Sequence, residues 1–438
     1  MSPHALPISP EIAQINVIPL RKYAITPNGF LPADAPLKVL SDPYFAPWER
    51  VIQHLPETLK TGKLRREVES LPVLSIDKLR NEAEYRRAYV ILVFLAHAYV
   101  WGGKNAAEVL PPAVSVPLLR VSKALEVPPV ATYAGLNLWN FWSNTDDLTD
   151  LDSLESLHTF TGTKDEAWFY LVSVAMEAQG ARIITDTLNA LESIKRRDYP
   201  AITSALDGLS ANIRRIGALL ERMYEHCNPM VFFYEIRPFL AGSKNMAAAG
   251  LPNGIFYDEG NGRGSWQQLR GGSNGQSSLI QFLDIVLGVE HTSEGNSTSH
   301  TSKNTPNHIK VSAFHEEVRN YMPGPHKRFL EHVSRMGSIR EFAKLPVSTA
   351  EHKSLREAYE VAIKTMTEFR NKHLQIVARY IVLPSKRAYS GAKVDLASTS
   401  AVQDEQLTGT GGTALMPFLK QTRDETLKAG QLEREARK

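Results

Sequence analysis

Apolar residues recur at helical spacing along most of this chain, with breaks at glycine and proline between the stretches. Apolar positions three and four residues apart share one face of a helix, and that face is buried against the rest of the protein. The pattern predicts helices over residues 48–59, 82–101, 116–125, 165–197, 201–226, 230–241, 277–289 and 350–383, and a short one over 416–429. We therefore expect an all-α fold.

The longest predicted helices, over 165–197, 201–226 and 350–383, all lie after residue 125. We predict a small, mainly helical N-terminal subdomain over residues 1–125 and a large helical subdomain over 126–438, with a core large enough to enclose a cofactor. Residues 293–307, rich in Ser, Thr and Asn, are predicted to be a disordered surface insertion, and the glycine-rich region near 385–415 a mobile loop.

The charge balance and the cysteine content narrow the partners and the compartment. Fifty Lys and Arg residues stand against 47 Asp and Glu residues, a net charge of +3. We see no basic stripe interleaved with aromatic residues, so we expect no nucleic-acid partner. The single cysteine, Cys227, excludes an internal disulfide and fits a reducing compartment. Residues 1–20 lack the pattern of a signal peptide, and the apolar stretch 88–101 is too short for a bilayer of about 30 Å. We expect a cytoplasmic monomer with no membrane partner.

One histidine of the 350–383 helix lies on an apolar face and is the most informative position of the chain. That face carries Met366, Phe369, His373, Ile376, Val377 and Tyr380. His373 is either a core histidine hydrogen-bonded to a neighbour or an axial ligand to haem iron. A neutral imidazole in a dry helical pocket suits the second role, if its other ring nitrogen finds an acceptor or water.

Two charged residues accompany this histidine. Asp284 lies on an otherwise apolar helix, where an unpaired carboxylate would be costly. It predicts a nearby donor or cation, either as a partner of His373 or in a structural salt bridge. Arg370 lies one turn before His373 and can pair with a haem propionate or with an acidic side chain.

A second candidate site combines aromatic rings with a guanidinium. Phe232 and Phe233 precede Arg237, which lies four residues after Phe233 and so on the same helical face. The rings can stack on an aromatic amino acid while the guanidinium binds its carboxylate. The alternative is a packed helix with one paired arginine. Ser173, in another apolar helix, can face a pocket or bond back to a carbonyl.

Three other motifs lack the context that their usual chemistry needs. Residues 271–275 match the Gly-x-Ser-x-Gly pattern of hydrolases, but no apolar strand precedes them. The glycine clusters at 260–262 and 409–413 lack the lysine of a phosphate-binding loop, and His315 has no second histidine four residues later. Hydrolase, nucleotide-binding and zinc-protease functions are therefore disfavoured.

Taken together and in order, these segments resemble the indoleamine 2,3-dioxygenase family from about residue 42 to residue 429. The resemblance rests on Pro128-Pro129 with Tyr133, residues 169–173, Phe232-Phe233 with Arg237, residues 271–273 with 275–278, residues 321–323, Arg370 with residues 373–375, and residues 409–413. Agreement at so many ordered sites is too specific for chance. It implies a two-subdomain helical fold that encloses haem between helices of the larger subdomain.

The resemblance also implies a cofactor and its surroundings. Haem b would be held through His373 as the axial iron ligand, with Arg370 and Asp284 in the network on that side of the haem. The distal pocket would be shaped by Tyr133, Phe169, Ser173, Phe232, Phe233 and Arg237.

In the same resemblance, Arg237 would bind the substrate carboxylate. The backbone at Gly272 and Ser273 would border the pocket, and Thr410 would close over the substrate. The pocket floor departs from the vertebrate pattern, because Leu136 and Asn137 replace smaller or apolar side chains.

The implied reaction inserts both atoms of dioxygen across the indole C2–C3 bond of L-tryptophan and gives N-formylkynurenine, the first step of the kynurenine pathway. An external electron donor would reduce the haem, because the iron must be ferrous to bind oxygen. No acid–base dyad is needed when the protein supplies axial ligation, a dry pocket and substrate orientation. The alternatives are a haem-binding sensor or signalling scaffold with little turnover, and a helical interaction protein.

Overall fold

Helices make up most of the structure, a computed structural model that describes residues 19–291, 313–387 and 415–432. The α-helices are α1 (Ala46–Gln53), α2 (Leu55–Lys60), α3 (Leu64–Glu69), α4 (Glu82–Trp101), α5 (Pro112–Leu125), α6 (Lys164–Arg196), α7 (Tyr199–Glu221), α8 (Met223–His226), α9 (Pro229–Val231), α10 (Arg237–Leu240), α11 (Ser278–Leu287), α12 (Ala313–Arg319), α13 (Gly324–Arg335), α14 (Ile339–Ala343), α15 (Ala350–Val377) and α16 (Leu415–Ala429). The all-α prediction is confirmed.

The few strands are short. They are β1 (Val109–Leu110), β2 (Phe141–Ser143), β3 (Leu154–Ser156), β4 (Ile255–Gly260) and β5 (Arg263–Gln267). β4 and β5 form an antiparallel hairpin, β1 pairs in parallel with β4, and β2 pairs with β3. The hairpin lies where the helical pattern breaks, and its turn needs left-handed backbone at Gly260, Asn261 and Gly262, with φ of +82°, 55° and +70°.

Local capping sets the ends of the helix that carries Ser173. The Thr163 side chain accepts a hydrogen bond from the backbone N–H of Glu166 at the start of α6, and Arg197 ends the helix in a left-handed conformation. The predicted helix over 165–197 therefore matches α6 within one residue. The predicted helix over 48–59 divides into α1 and α2, with Pro56 in the first turn of the second.

Three turns in the described ranges have the wider π-helical geometry: Ala134–Leu138, Phe232–Ile236 and Ala378–Val382. A π turn holds one more residue than an α turn, so it shifts the direction of the side chains that follow it. Periodicity of 3.6 residues does not predict such turns, and the sequence patterns at 230–241 and 350–383 extend straight through two of them. Each of the three contributes to the cavity described below.

One cluster of buried apolar residues runs through the molecule and includes side chains from both sides of residue 125. α7 packs between α6 and α15, and α15 also packs against α16. α4 is buried on almost all sides, which explains why its sequence is apolar all round. In the described ranges, no helix has both the length and the apolar character needed to cross a membrane. The division into two subdomains at residue 125 stays a prediction.

Candidate active site

A cavity lies among α6, α11, α15, α16 and the three π turns, and most of its wall is apolar. The predicted site residues that line it are Tyr133, Phe169, Ser173, Phe232, Arg237, Gly272, Ser273, Asp284, Arg370 and His373. These residues are spread over 240 positions of sequence, and the packing of the helices brings them together. Thr410 and the glycine cluster 409–413 lie outside the described residues.

The two adjacent phenylalanines have different surroundings. The Phe232 ring lines the cavity and lies 4.9 Å from the Phe169 ring, centroid to centroid. Phe233 is buried with its ring 5.5 Å from the guanidinium of Arg237, and it is not among the described residues that line the cavity. Consecutive helical residues point in different directions, and here the two rings have different neighbours. In the structure Phe233 contacts Arg237, and its place in the substrate pocket stays a prediction.

His373 borders the cavity from α15. Burial, together with the positive charge of Arg370, lowers the pKa of His373 to about 4. No hydrogen bond or ion pair within the described ranges reaches its imidazole. The ring is therefore neutral near pH 7 and has a lone pair to offer, which is the form of histidine that binds a metal.

The cation that Asp284 predicts is Arg370. The Arg370 guanidinium donates to Asp284 Oδ1 at 2.5 Å, so the structural salt bridge is present. Burial acts to raise the pKa of Asp284, but Arg370 and a hydrogen bond from His291 outweigh it and hold this pKa below its usual value. Both members of the pair line the cavity, beside His373.

A histidine that the sequence analysis did not single out extends this network. The His291 ring lies 3.2 Å from Asp284 Oδ2 through Nε2 and 2.8 Å from Glu425 Oε2 through Nδ1. Burial alone would lower the pKa of His291, yet the two carboxylates raise it. No sequence signal links His291 to Glu425, because the two residues are 134 positions apart. His291, just after α11, thus links Asp284 of α11 to Glu425 of α16.

The sequence analysis also missed Glu177, a second buried carboxyl group besides Asp284. Glu177 lines the cavity one turn after Ser173, and its Oε1 accepts hydrogen bonds from Tyr133 Oη at 3.0 Å and Ser277 Oγ at 2.6 Å. Burial raises the pKa of Glu177 to about 7, although both hydrogen bonds act to lower it. An acidic residue on an otherwise apolar helical face is the signal that could have identified it, as it did for Asp284.

The glycine-rich segment at the cavity has a packing reason. A Cβ atom at Gly272 would lie 2.4 Å from Leu136 Cδ1, and one at Gly271 would lie 2.0 Å from the Leu240 carbonyl oxygen. The contact at Gly271 is with backbone, so only glycine permits it, whereas a side chain at Gly272 would require Leu136 to move. The Ser273 side chain accepts a hydrogen bond from the Gly275 backbone N–H and so caps a short turn. The Gly-x-Ser-x-Gly match thus reflects close packing and a turn.

The residues on the cavity wall have the chemistry that haem binding requires. Arg370 Nε is buried and has no hydrogen-bond partner among the described residues, and a haem propionate would be an anionic acceptor for it. A neutral histidine on an apolar wall offers the axial ligand that haem iron takes. The residues present therefore fit the group.

These features define an all-helical protein whose core is built around an apolar ligand cavity with a neutral histidine on its wall. The chain belongs to the indoleamine 2,3-dioxygenase family, whose sequence model matches residues 19–429. This match confirms the resemblance that the motifs predicted.

Individual relatives cover almost the whole chain. An indoleamine 2,3-dioxygenase of Saccharomyces cerevisiae is 40% identical over 95% of this chain and 94% of the yeast protein. An indoleamine 2,3-dioxygenase 1 of Rattus norvegicus is 32% identical over 94% of this chain and 95% of the rat protein. A 6-hydroxytryptophan 2,3-dioxygenase of Fusarium equiseti is 37% identical over 92% of this chain and 96% of the fungal protein.

Proposed function

We propose that this chain is a haem-dependent dioxygenase that inserts both atoms of dioxygen across the indole C2–C3 bond of L-tryptophan and yields N-formylkynurenine. The observation that carries the proposal is the neutral His373 on the wall of an apolar cavity that also holds Arg237. Membership of the indoleamine 2,3-dioxygenase family supports the same chemistry. The product would enter the kynurenine pathway.

Two side chains would hold the cofactor. His373 would bind the iron through its ring, and Arg370 would donate its unpartnered Nε–H to a propionate while Asp284 keeps the guanidinium in place. When bound, the haem supplies an iron that binds and activates dioxygen in its ferrous state, so the enzyme needs an external electron donor.

The substrate would be held at both ends. Arg237 is 5% exposed and lines the cavity, so its guanidinium would bind the amino-acid carboxylate in a dry site, where charge-assisted hydrogen bonds are strong. Phe169 and Phe232, tilted by 57° to each other, would pack against the flat indole ring. Ser173, one turn after Phe169 on α6, would present a hydroxyl to the cavity beside this aromatic wall. Orientation of this kind brings the reacting bond close to the oxygen.

The C-terminal helix would exclude water from the reaction. α16 contributes Leu415, Phe418 and Leu419 to the cavity wall, and the Phe418 ring lies 4.6 Å from the Phe314 ring, centroid to centroid. An apolar cover of this kind strengthens the hydrogen bonds inside the site and protects reactive species from solvent.

Modified indoles are the second candidate substrates. The Fusarium equiseti relative is named for 6-hydroxytryptophan, and it is about as similar to this chain as the fungal relatives named for indoleamines. The aromatic wall would accept the ring of tryptophan or of a hydroxytryptophan, so the preference between these substrates would depend on polar groups around the wall.

The test is an ultraviolet-visible spectrum of the purified protein, reduced under air with L-tryptophan. We expect a Soret band together with the absorbance of N-formylkynurenine. A Soret band without product from tryptophan or its ring-substituted analogues would replace the dioxygenase by a haem sensor. The lack of a Soret band after haem reconstitution would refute the assignment of His373.

A further inference from the structure

Asn137 is a buried polar residue on the cavity wall with an incomplete set of hydrogen bonds. It belongs to the π turn Ala134–Leu138 and is 4% exposed. Its amide nitrogen donates to the Tyr133 carbonyl oxygen at 3.2 Å. Its Oδ1 has no hydrogen-bond partner among the described residues. A buried acceptor of this kind normally has a partner, so it calls for a donor that the described residues do not supply.

The orientation of the amide follows from its neighbour. The Tyr133 carbonyl oxygen is an acceptor only, so the Asn137 nitrogen must face it. A rotated amide would place two acceptors together and leave two N–H groups without that partner. The atom left for a ligand is therefore the carbonyl oxygen of the side chain.

Asn140, three residues later, shows what a purely structural asparagine looks like here. Its nitrogen donates to the backbone carbonyls of Leu136 at 3.1 Å and His158 at 2.9 Å. Its Oδ1 accepts from the His158 backbone N–H at 2.9 Å. Asn140 is not among the described residues that line the cavity. The two asparagines share a segment, yet of the two only Asn137 both lines the cavity and has an acceptor without a partner among the described residues.

The chemistry of the site limits which donor can reach Asn137. Haem propionates, dioxygen and the substrate carboxylate are acceptors and cannot serve. The substrate ammonium group is attached to the same carbon as the carboxylate and stays beside Arg237. α6 packs against both the turn that carries Asn137 and the turn that precedes Arg237, so these residues reach the cavity from separate elements. The substrate's remaining donors belong to the indole ring.

We propose that Asn137 is a specificity-determining residue whose Oδ1 accepts a hydrogen bond from the ring of the indole substrate. The donor is a hydroxyl group on the benzo ring or the indole N–H. This inference rests on the proposed function and narrows its substrate class to indoles that present a ring donor. A site built to accept such a bond rejects an analogue that lacks the donor, because the buried acceptor is then left unpaired.

The test compares matched substrate pairs on the haem-loaded protein and on its Asn137→Leu variant. One set pairs each hydroxy-L-tryptophan with the methoxy compound substituted at the same carbon, which cannot donate. The other pairs L-tryptophan with 1-methyl-L-tryptophan. In the wild type we expect kcat/KM to favour the donor member of at least one pair by about tenfold or more. In Asn137→Leu we expect that preference to fall to within about twofold of unity, because leucine has a similar size but no acceptor.

The substrate pair whose kcat/KM preference disappears in Asn137→Leu identifies the donor. A hydroxy–methoxy pair indicates the ring hydroxyl, and the pair of L-tryptophan and 1-methyl-L-tryptophan indicates the indole N–H. Asn140→Leu is the matched control: it should lower the melting temperature, because it removes the hydrogen bonds of a buried side chain, and leave the substrate ratios unchanged. Ratios that are the same in the wild type and in Asn137→Leu would overturn the proposal.

Two further measurements keep the proposal testable. If Asn137→Leu does not fold, a wild type with no preference within any pair would still overturn it. If the haem-loaded wild type forms product from none of the substrates, the proposed function fails. In that case the dissociation constants of the same substrate pairs, measured by calorimetry on the wild type and on Asn137→Leu, test the role of Asn137 separately.

Discussion

Burial sets the protonation state of single side chains in this cavity. Burial and the nearby charge of Arg370 lower the pKa of His373 to about 4, while burial raises that of Glu177 to about 7. The imidazole is therefore a ready ligand at neutral pH. The sequence predicted that Asp284 needs a cation, since a lone buried carboxylate is costly. The structure supplies Arg370, and it adds His291, which no local pattern indicated.

The first prediction concerns His373. We expect His373→Ala to lose the Soret band after reconstitution with haem, because the variant offers no axial ligand from α15. His352→Ala is the matched control, since His352 is buried on the same helix but stacks on Tyr199 away from the cavity. It should lower the free energy of unfolding by about 2 kcal/mol and keep the Soret band. Full haem loading of His373→Ala with normal activity would contradict the ligand assignment.

The second prediction concerns Arg237. Arg237→Ala should raise KM strongly, because loss of a charge-assisted bidentate contact in a dry site costs about 2–5 kcal/mol. Steady-state kinetics with L-tryptophan measure the change, and the Soret band checks that haem is still bound. Arg237→Lys keeps the charge but not the planar fork, so it should recover part of the loss. An unchanged KM in Arg237→Ala would show that another group binds the carboxylate.

At the scale of elements, strongly periodic helices were predictable and π turns were not. α6 begins and ends within one residue of the predicted helix, since Thr163 caps one end and a left-handed residue closes the other. The turn Phe232–Ile236 changes the direction of the side chains near Arg237 although the sequence continues with helical periodicity. α16 was predicted as a short helix, but its place on the cavity wall depends on long-range contacts with His291 and Phe314.

The third prediction is a pH dependence of the contact between α11 and α16. The folded-state pKa of His291 is raised, so its contribution to stability is present below its unfolded pKa, about 6.5, and is lost as the pH rises through the folded value. His291→Gln should therefore lower the melting temperature most below pH 6 and less by pH 9. Thermal unfolding of both proteins across this range measures the difference.

The difference in melting temperature between the wild type and His291→Gln removes the effect of other buried groups, such as Glu177 and His373, because these groups titrate in both proteins. Glu425→Gln is the companion variant, because it removes one of the two carboxylates that face His291. A difference that stays constant or grows with pH would exclude the ion pair as the cause.

At the scale of the whole molecule, the cavity interrupts a core that extends from Ile25 to Leu432. α6 and α15 reach the cavity and pack on α7 between them. A ligand that fills this space binds the folded state only, because no unfolded chain assembles the wall. Haem binding and stability are therefore linked.

The fourth prediction follows from that linkage. Haem at a free concentration a thousand times its dissociation constant should raise the free energy of unfolding by about 4 kcal/mol. Denaturant unfolding of the haem-free and haem-loaded protein measures the gain, and His373→Ala at the same haem concentration should show little of it. Equal stability with and without haem would mean that the cofactor does not bind in the core.

The sequence by itself determined the all-α fold and the family, and it singled out ten of the residues on the cavity wall. Helical periodicity depends on neighbours within a turn or two, so it identified the apolar face of His373 and the costly carboxylate of Asp284. The predicted subdomain boundary at residue 125 and the monomeric state stay predictions.

Only the tertiary structure decided which predicted residues meet and what each one contacts. It gave Phe232 and Phe233 different neighbours, joined His291 to Glu425 across 134 residues, and left Asn137, on the cavity wall, with an acceptor that has no partner among the described residues. These outcomes depend on π turns and on helices packed from distant parts of the chain. Local patterns carry no information about such contacts, because they form only when the whole core assembles.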